Sequence, residues 1–341
     1  NGNISVAGGT FNLADSSKLK LNNGVTVTSN KALSFGTLEM NDRNLTFTDS
    51  SSSGADLTLK KAFTLDNSST LQMNGADLTF DETATIKGLL EPSGGTLNFQ
   101  KGGSVSGTVN SKDSTLALET ANLAFTGILQ TNANTAITGA NFLNLSQGAT
   151  LDVAGSLTLD DVITASTTVI KLSDDTTINR DAFFSVGSVE LDGNTLTLGS
   201  ETTDLKIEKS APAEGESAGT FKMEEADLTW LNPIQFSAAK VYSTGGTLTL
   251  ASGSSLTSSG LIELGSGSTL VLNGEFTQSG GELSADGTTI QVAGDFSKTA
   301  GDLTSSNASL KLTNDLSLSS NTPLSFKELT LNGKVLSFGQ Q

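Results

Sequence analysis

Cysteine and histidine are both missing from this chain of 341 residues. Without Cys there is no disulfide framework, no thiolate metal site and no catalytic thiol. Without His, the commonest general base and the commonest transition-metal ligand are gone. Aromatic residues other than Phe are scarce, with one Trp (Trp230) and one Tyr (Tyr242) against 16 Phe. Arg occurs only at Arg43 and Arg180. Sugar-cleaving sites need aromatic platforms and paired carboxylates, so this composition argues against catalysis on polysaccharides. No apolar run approaches the roughly 20 residues a membrane helix requires, and membrane insertion is not expected. The chain opens on Asn1 with neither an initiating Met nor a signal-peptide pattern. A processed protein, or a piece of a longer one, would begin this way.

Positive charge is also short. Against 36 Asp and Glu stand 19 Lys and Arg, a formal net charge of −17. Such a polyanion repels phosphate backbones and anionic lipid surfaces, so nucleic acid is not an expected partner. Hydrophobic residues make up 35% of the chain, which is low for one compact globule of this length. They come in short pulses spread evenly from end to end. A thin continuous core fits that distribution better than a thick spherical one.

What is abundant is repetition. The strand-like phrases TLTL, TLVL, TIQV, SLKL and ELTL end on Leu250, Leu272, Val292, Leu312 and Leu331, at steps of 19 to 22 residues. Phe276, Phe296 and Leu316 recur at steps of 20, as do Leu283 and Leu303. Each unit therefore carries three short strands. Each strand alternates apolar and polar residues, the pattern of one buried face, and Gly, Asn, Asp and Ser fill the turns between them. A unit this small cannot bury its apolar face alone. Stacked as coils, each strand pairs with its equivalent in the next coil, and the inward residues form continuous columns.

The fold expected is an all-β parallel β-helix, or β-solenoid, with about 20 residues and three short strands per coil, right-handed as parallel crossovers are. It would run as one continuous rod over 1–341, with about 17 coils spanning roughly 80 Å at the usual strand spacing. Residues 210–220, SAPAEGESAGT, break the alternation and predict a loop projecting from one corner. An antiparallel sandwich array competes, because Asn273-Gly274 and Asn332-Gly333 are hairpin signals. Sandwich modules repeat at far longer intervals, and Asn-Gly also suits solenoid corners. A longer repeat is visible as well. Leu33–Phe47, Phe184–Leu198 and Leu324–Phe338 align without gaps, which suggests duplication of a block of coils.

Candidate sites are few. The doublets Asp160-Asp161, Asp174-Asp175 and Glu224-Glu225 are sequence neighbours that point to opposite faces of a strand, so surface turns explain them better than acid/base pairs. No catalytic and no cofactor-binding residues are identified. The 20-residue register stacks Glu275, Asp295 and Asp315 on one face, with Glu282 and Asp302 as a shorter column. Stacked carboxylates at strand spacing could hold a divalent cation such as calcium through oxygen ligands. The competing reading is plain solvation, since two charges at that spacing repel by only about 1 kcal/mol in water. At the ends, the first and last strand-like segments carry no capping helix, which points to neighbouring coils of a longer chain or to head-to-tail stacking of copies.

The phrases VELDGNTLTL, LTLNGKVLSF and STLVLNGEFTQSGG resemble the repeats of bacterial autotransporter passengers and filamentous-haemagglutinin-like adhesins. That resemblance implies a β-helical rod outside a bacterial cell. The function expected is thus an extracellular structural or adhesive solenoid, a segment or subunit of a surface fibre, sheath or giant adhesin. Its partners would be copies of itself or adjoining coils, with surface glycans as a further class. A carbohydrate-active enzyme or carbohydrate-binding β-helix is the alternative.

Overall fold

The computed structural model describes residues 3–6, 14–49, 55–118, 122–139, 143–145, 148–158, 163–164, 168–179, 184–191, 194–198, 205–207, 220–230, 234–236 and 240–339. Among the described residues there is no helix, and the strands pair in parallel. They stack as a β-solenoid of about 13 turns with roughly 20 residues per turn. That is fewer than the 17 or so coils expected, and coil length varies: Leu33 pairs with Leu57 and Leu45 with Leu71, while Leu78 pairs with Leu97. Composition marks no boundary, yet the chain divides into two compact units, Asn1–Thr168 and Val169–Gln341.

In the first unit each coil carries three strands, as in Leu78–Phe80, Ala84–Ile86 and Leu89–Glu91. Each strand belongs to its own ladder. One ladder stacks six strands from Leu33–Phe35 to Ala136–Thr138, and a second stacks six from Phe63–Leu65 to Ile163–Thr164. Strict alternation sets which side chains enter. Leu78 and Phe80 are buried while Thr79 between them is only half-buried, because successive residues of a strand face opposite ways. The inward residues then stack coil on coil. The rings of Phe63 and Phe80 lie 5.6 Å apart, and those of Phe80 and Phe99 4.8 Å apart, within the range for favourable offset stacking.

The second unit builds one ladder of eight strands, from Phe184–Val186 to Glu328–Thr330. Its other two strands per coil share a single sheet, and in later coils they fuse. Glu275–Ser284 receives Ser255–Ser258 along its first half and Leu261–Leu264 along its second, then pairs with Phe296–Thr304. The corner inside this fused strand is turned by Gly281, at φ 58°. A Cβ there would sit 1.9 Å from the Gly260 carbonyl oxygen, so both the conformation and the close approach call for Gly.

Asn-Gly serves corners, not hairpins. Asn332 (φ 50°) and Gly333 (φ 74°) are both left-handed, and they join Glu328–Thr330 to Leu336–Gly339, strands of different sheets. Asn74 and Gly75 (φ 38° and 86°) behave alike in the first unit. The sandwich alternative is thereby excluded for these segments.

Most of the register read from sequence is present: Leu250 pairs with Leu272, Leu272 with Val292, Val292 with Leu312, and Leu283 with Leu303. One column departs from it. Phe276 pairs with Phe296, but Phe296 pairs with Leu318 and not with Leu316. The slip is two residues, and Leu316 and Leu318 are both buried. A two-residue shift preserves the inward face, whereas a one-residue shift would invert it, so the apolar pattern does not discriminate between the two registers. The gapless block repeat also fails within the second unit. Successive pairings carry Phe184 to Leu205, Leu228, Leu248, Leu270, Ile290, Leu310 and finally Leu329. The sequence match equates Phe184 with Leu324 instead, which lies in no strand, and Ser188–Glu190 with Glu328–Thr330, which belongs to a different sheet. Similar strand-turn phrases recur on different faces because every face makes the same alternating demand. The expected corner loop at 210–220 lies outside the described residues, except Thr220, which opens the strand Thr220–Glu224.

Candidate functional site

The first sites to place are the carboxylates singled out by spacing. Glu275 and Asp295 each precede a residue of the Phe276–Phe296 pair and are exposed, so they occupy neighbouring coils on one edge. Asp315 precedes Leu316, two residues short of the position that continues their column, because Phe296 pairs with Leu318. Its carboxylate is also engaged, accepting the Val335 backbone N–H at 2.9 Å. Glu282 and Asp302 are direct partners in the ladder. Among the described residues, no group of three or more acidic side chains is arranged to hold a metal ion.

Asp315 exemplifies a wider role for acidic and amide side chains. Several Asp and Asn residues at corners reach up one coil and accept a backbone N–H there. Asp77 accepts from Thr96 at 2.7 Å, Asp175 from Thr195 at 2.7 Å, Asp227 from Thr247 at 2.6 Å, and Asn44 from Thr70 at 3.0 Å. Others reach down and donate. Asn41 bonds the Leu21 carbonyl at 2.9 Å and Asn332 the Leu312 carbonyl at 2.8 Å. Corners leave peptide groups outside the ladders, and these side chains satisfy them. Much of the Asn and Asp content is thus absorbed by construction.

Two carboxylates are shifted by such contacts. The amides of Asn134 and Asn132 donate to Asp113 and hold its carboxyl below the ordinary value, since they bond its charged form. The Lys18 ammonium does the same for Glu39, first by its hydrogen bond and then by its charge.

The aromatic residues separate cleanly. Trp230 is an inward residue, 1% exposed, with Phe221 edge-on at 6.1 Å; it is core and offers no sugar platform. Tyr242 lies on the outward row of its strand, Lys240–Ser243, between buried Val241 and Ser243. The register sets Lys222 beside Tyr242 on one side and Glu263 on the other. Lys240, two residues earlier on the same strand, is flanked by Thr220 and Leu261. Of the acidic doublets, Asp160-Asp161 lies outside the described residues. Asp174 and Asp175 lie within the strand Val169–Asn179 rather than at a turn, both exposed, and Asp174 accepts the Asp175 N–H at 2.8 Å. For Glu224-Glu225, the strand Thr220–Glu224 ends on Glu224, and Glu225 is exposed.

A buried polar column escaped the sequence reading. Ser258, Gln278 and Lys298 follow one another in register inside the second unit and are all buried. Each long side chain serves the coil above. The Gln278 amide donates to the Asp302 carbonyl at 2.6 Å, and the Lys298 ammonium to the Thr322 hydroxyl at 2.8 Å. Both residues occupy inward positions of alternating strands, where apolar residues are the expectation, and that mismatch was the available signal.

No family model matches the chain, and no curated protein or solved structure is significantly similar to it.

Proposed function

We propose that this chain is a structural or adhesive element of a bacterial cell surface, a segment or subunit of a fibre, sheath or large adhesin, whose role is mechanical rather than catalytic. The observation that carries this reading is a contrast within one ladder. Leu310 is 3% exposed beneath its partner Leu329, which is 47% exposed. Phe338 of the same coil is 75% exposed, while its partner Leu318 is 3% exposed. These residues repeat the inward pattern of the coils below and present unpaired strand edges, a template for another coil. Parallel ladders, buried apolar columns and corner side chains bonded from coil to coil resist separation along the stacking direction. The phrases shared with autotransporter passengers and haemagglutinin-like adhesins support the placement outside the cell.

Electron microscopy of the purified chain over a range of concentrations tests self-stacking. Filaments or end-joined particles that Phe338→Asp disperses are the expected result. Single particles at every concentration would overturn self-stacking.

A further inference from the structure

We propose that the outward face around Tyr242 binds an acidic polysaccharide, a polymer carrying both carboxylates and hydroxyls. The inference goes beyond the mechanical reading, which stands whether or not the face binds anything. It begins with the ladder that runs through Thr195–Leu198, Thr220–Glu224, Lys240–Ser243, Leu261–Leu264 and the second half of Glu275–Ser284. Its outward residues form two adjacent rows. One runs Thr197, Lys222, Tyr242, Glu263, Ser284; the other runs Thr195, Thr220, Lys240, Leu261, Glu282. At the usual strand spacing, consecutive members are about 4.8 Å apart.

Three features of these rows fit one kind of ligand. Lys222 and Lys240 are exposed, and neither forms an ion pair among the described residues. In a chain of net charge −17, two lysines on neighbouring strands with no ion pair among the described residues give an anion a point of attachment. Tyr242, the chain's single tyrosine, is half-buried beside them on the outward face, with Leu261 half-buried next to Lys240. Together they offer a small apolar platform against which a sugar ring can lie. Beyond that platform Glu263 and Glu282 are exposed, and carboxylates there accept hydrogen bonds from hydroxyls. A ligand with phosphates and few hydroxyl donors would pair with the lysines alone and leave the acceptors of that acidic half unmatched. A uronate polymer uses both halves, its carboxylates on the lysines and its hydroxyls on Glu263, Thr197 and Thr220.

The test measures binding of polygalacturonate oligomers to the full chain by calorimetry at low and high salt, with dextran and polyphosphate as comparators. Binding of polygalacturonate that weakens with salt is expected, with dextran and polyphosphate bound more weakly. Lys222→Gln, Lys240→Gln and Tyr242→Ala should each lower affinity about tenfold, the loss of one charge-assisted bond or one ring contact. Lys327→Gln, on the terminal coil, should leave it unchanged. All four side chains point outward, and thermal unfolding checks that each variant keeps its fold. No binding by the unaltered chain, equal binding of polyphosphate, or undiminished binding by the three face variants would each overturn the proposal.

Discussion

The rings of Phe276 and Phe296, twenty positions apart in sequence, lie 5.1 Å apart between centroids at an interplanar angle of 36°. They are register partners in adjacent coils and both are buried. That contact expresses the whole construction: equivalent residues of successive coils meet face to face in the core.

Truncation of this pair should therefore be costly. Phe296→Ala removes a buried ring and leaves a cavity, and should destabilise the second unit by about 3–5 kcal/mol. A double-mutant cycle with Phe276→Ala should return about 0.5–1.5 kcal/mol of coupling beyond area burial. Urea denaturation measures both. Additive losses would show that the rings contribute as separate apolar bodies.

Two glycines with left-handed backbones should respond differently to alanine. Gly253, at φ 82°, has open space where a Cβ would go. Gly253→Ala should cost about 1 kcal/mol, the conformational term alone. Gly281→Ala must also push the new methyl off the Gly260 carbonyl oxygen, so its loss should be clearly larger. Equal midpoints in chemical denaturation would contradict the close approach.

Corner side chains that bond the next coil should be separable by chemistry. Asp77→Ala leaves the Thr96 N–H without its acceptor and should cost about 1 kcal/mol. Asp77→Asn keeps an acceptor oxygen and should recover most of that loss. Amide hydrogen exchange at Thr96 reports the bond directly, faster in the Ala variant and near the original rate in the Asn variant.

Asp113 predicts an acid dependence with a definite sign. Its carboxyl is held below the ordinary value by the Asn134 and Asn132 amides. Protonation is thus harder in the folded than in the unfolded chain, and the stabilisation is present above the unfolded value. It is lost as pH falls through the lower folded value, below about pH 4. A carboxyl NMR titration should find Asp113 below the ordinary aspartate value, and Asn134→Ala should move it back up.

Lys298 is 2% exposed, with its ammonium on Thr322. Lys298→Met keeps the stem's packing and removes a buried charge, so stability should hold or rise, while Lys298→Ala should lose about 2 kcal/mol or more from the cavity. Thermal unfolding distinguishes the two outcomes.

Fold class was legible in the chain because a solenoid repeats its demands. Leu250, Leu272, Val292 and Leu312 each answer the same inward position, so spacing alone exposes the coil length and the ladder. Asn-Gly at 332–333 was ambiguous, since a hairpin and a solenoid corner both accept left-handed residues; the two sheets on either side of it decided. The stacking of Asp315 on Asp295 was misread from spacing, because apolar alternation fixes a residue's face but not its register in steps of two.

The sequence by itself determined the parallel coil, its length near twenty residues and the residues that face inward, because period-two alternation repeated at a fixed interval has few other ways to bury its apolar half. Only the tertiary structure decided which outward residues become neighbours. Lys222, Tyr242 and Glu263 are some twenty positions apart in sequence and side by side in register. Outward residues carry no alternation of their own to count, so their grouping is set by how the coils settle on one another.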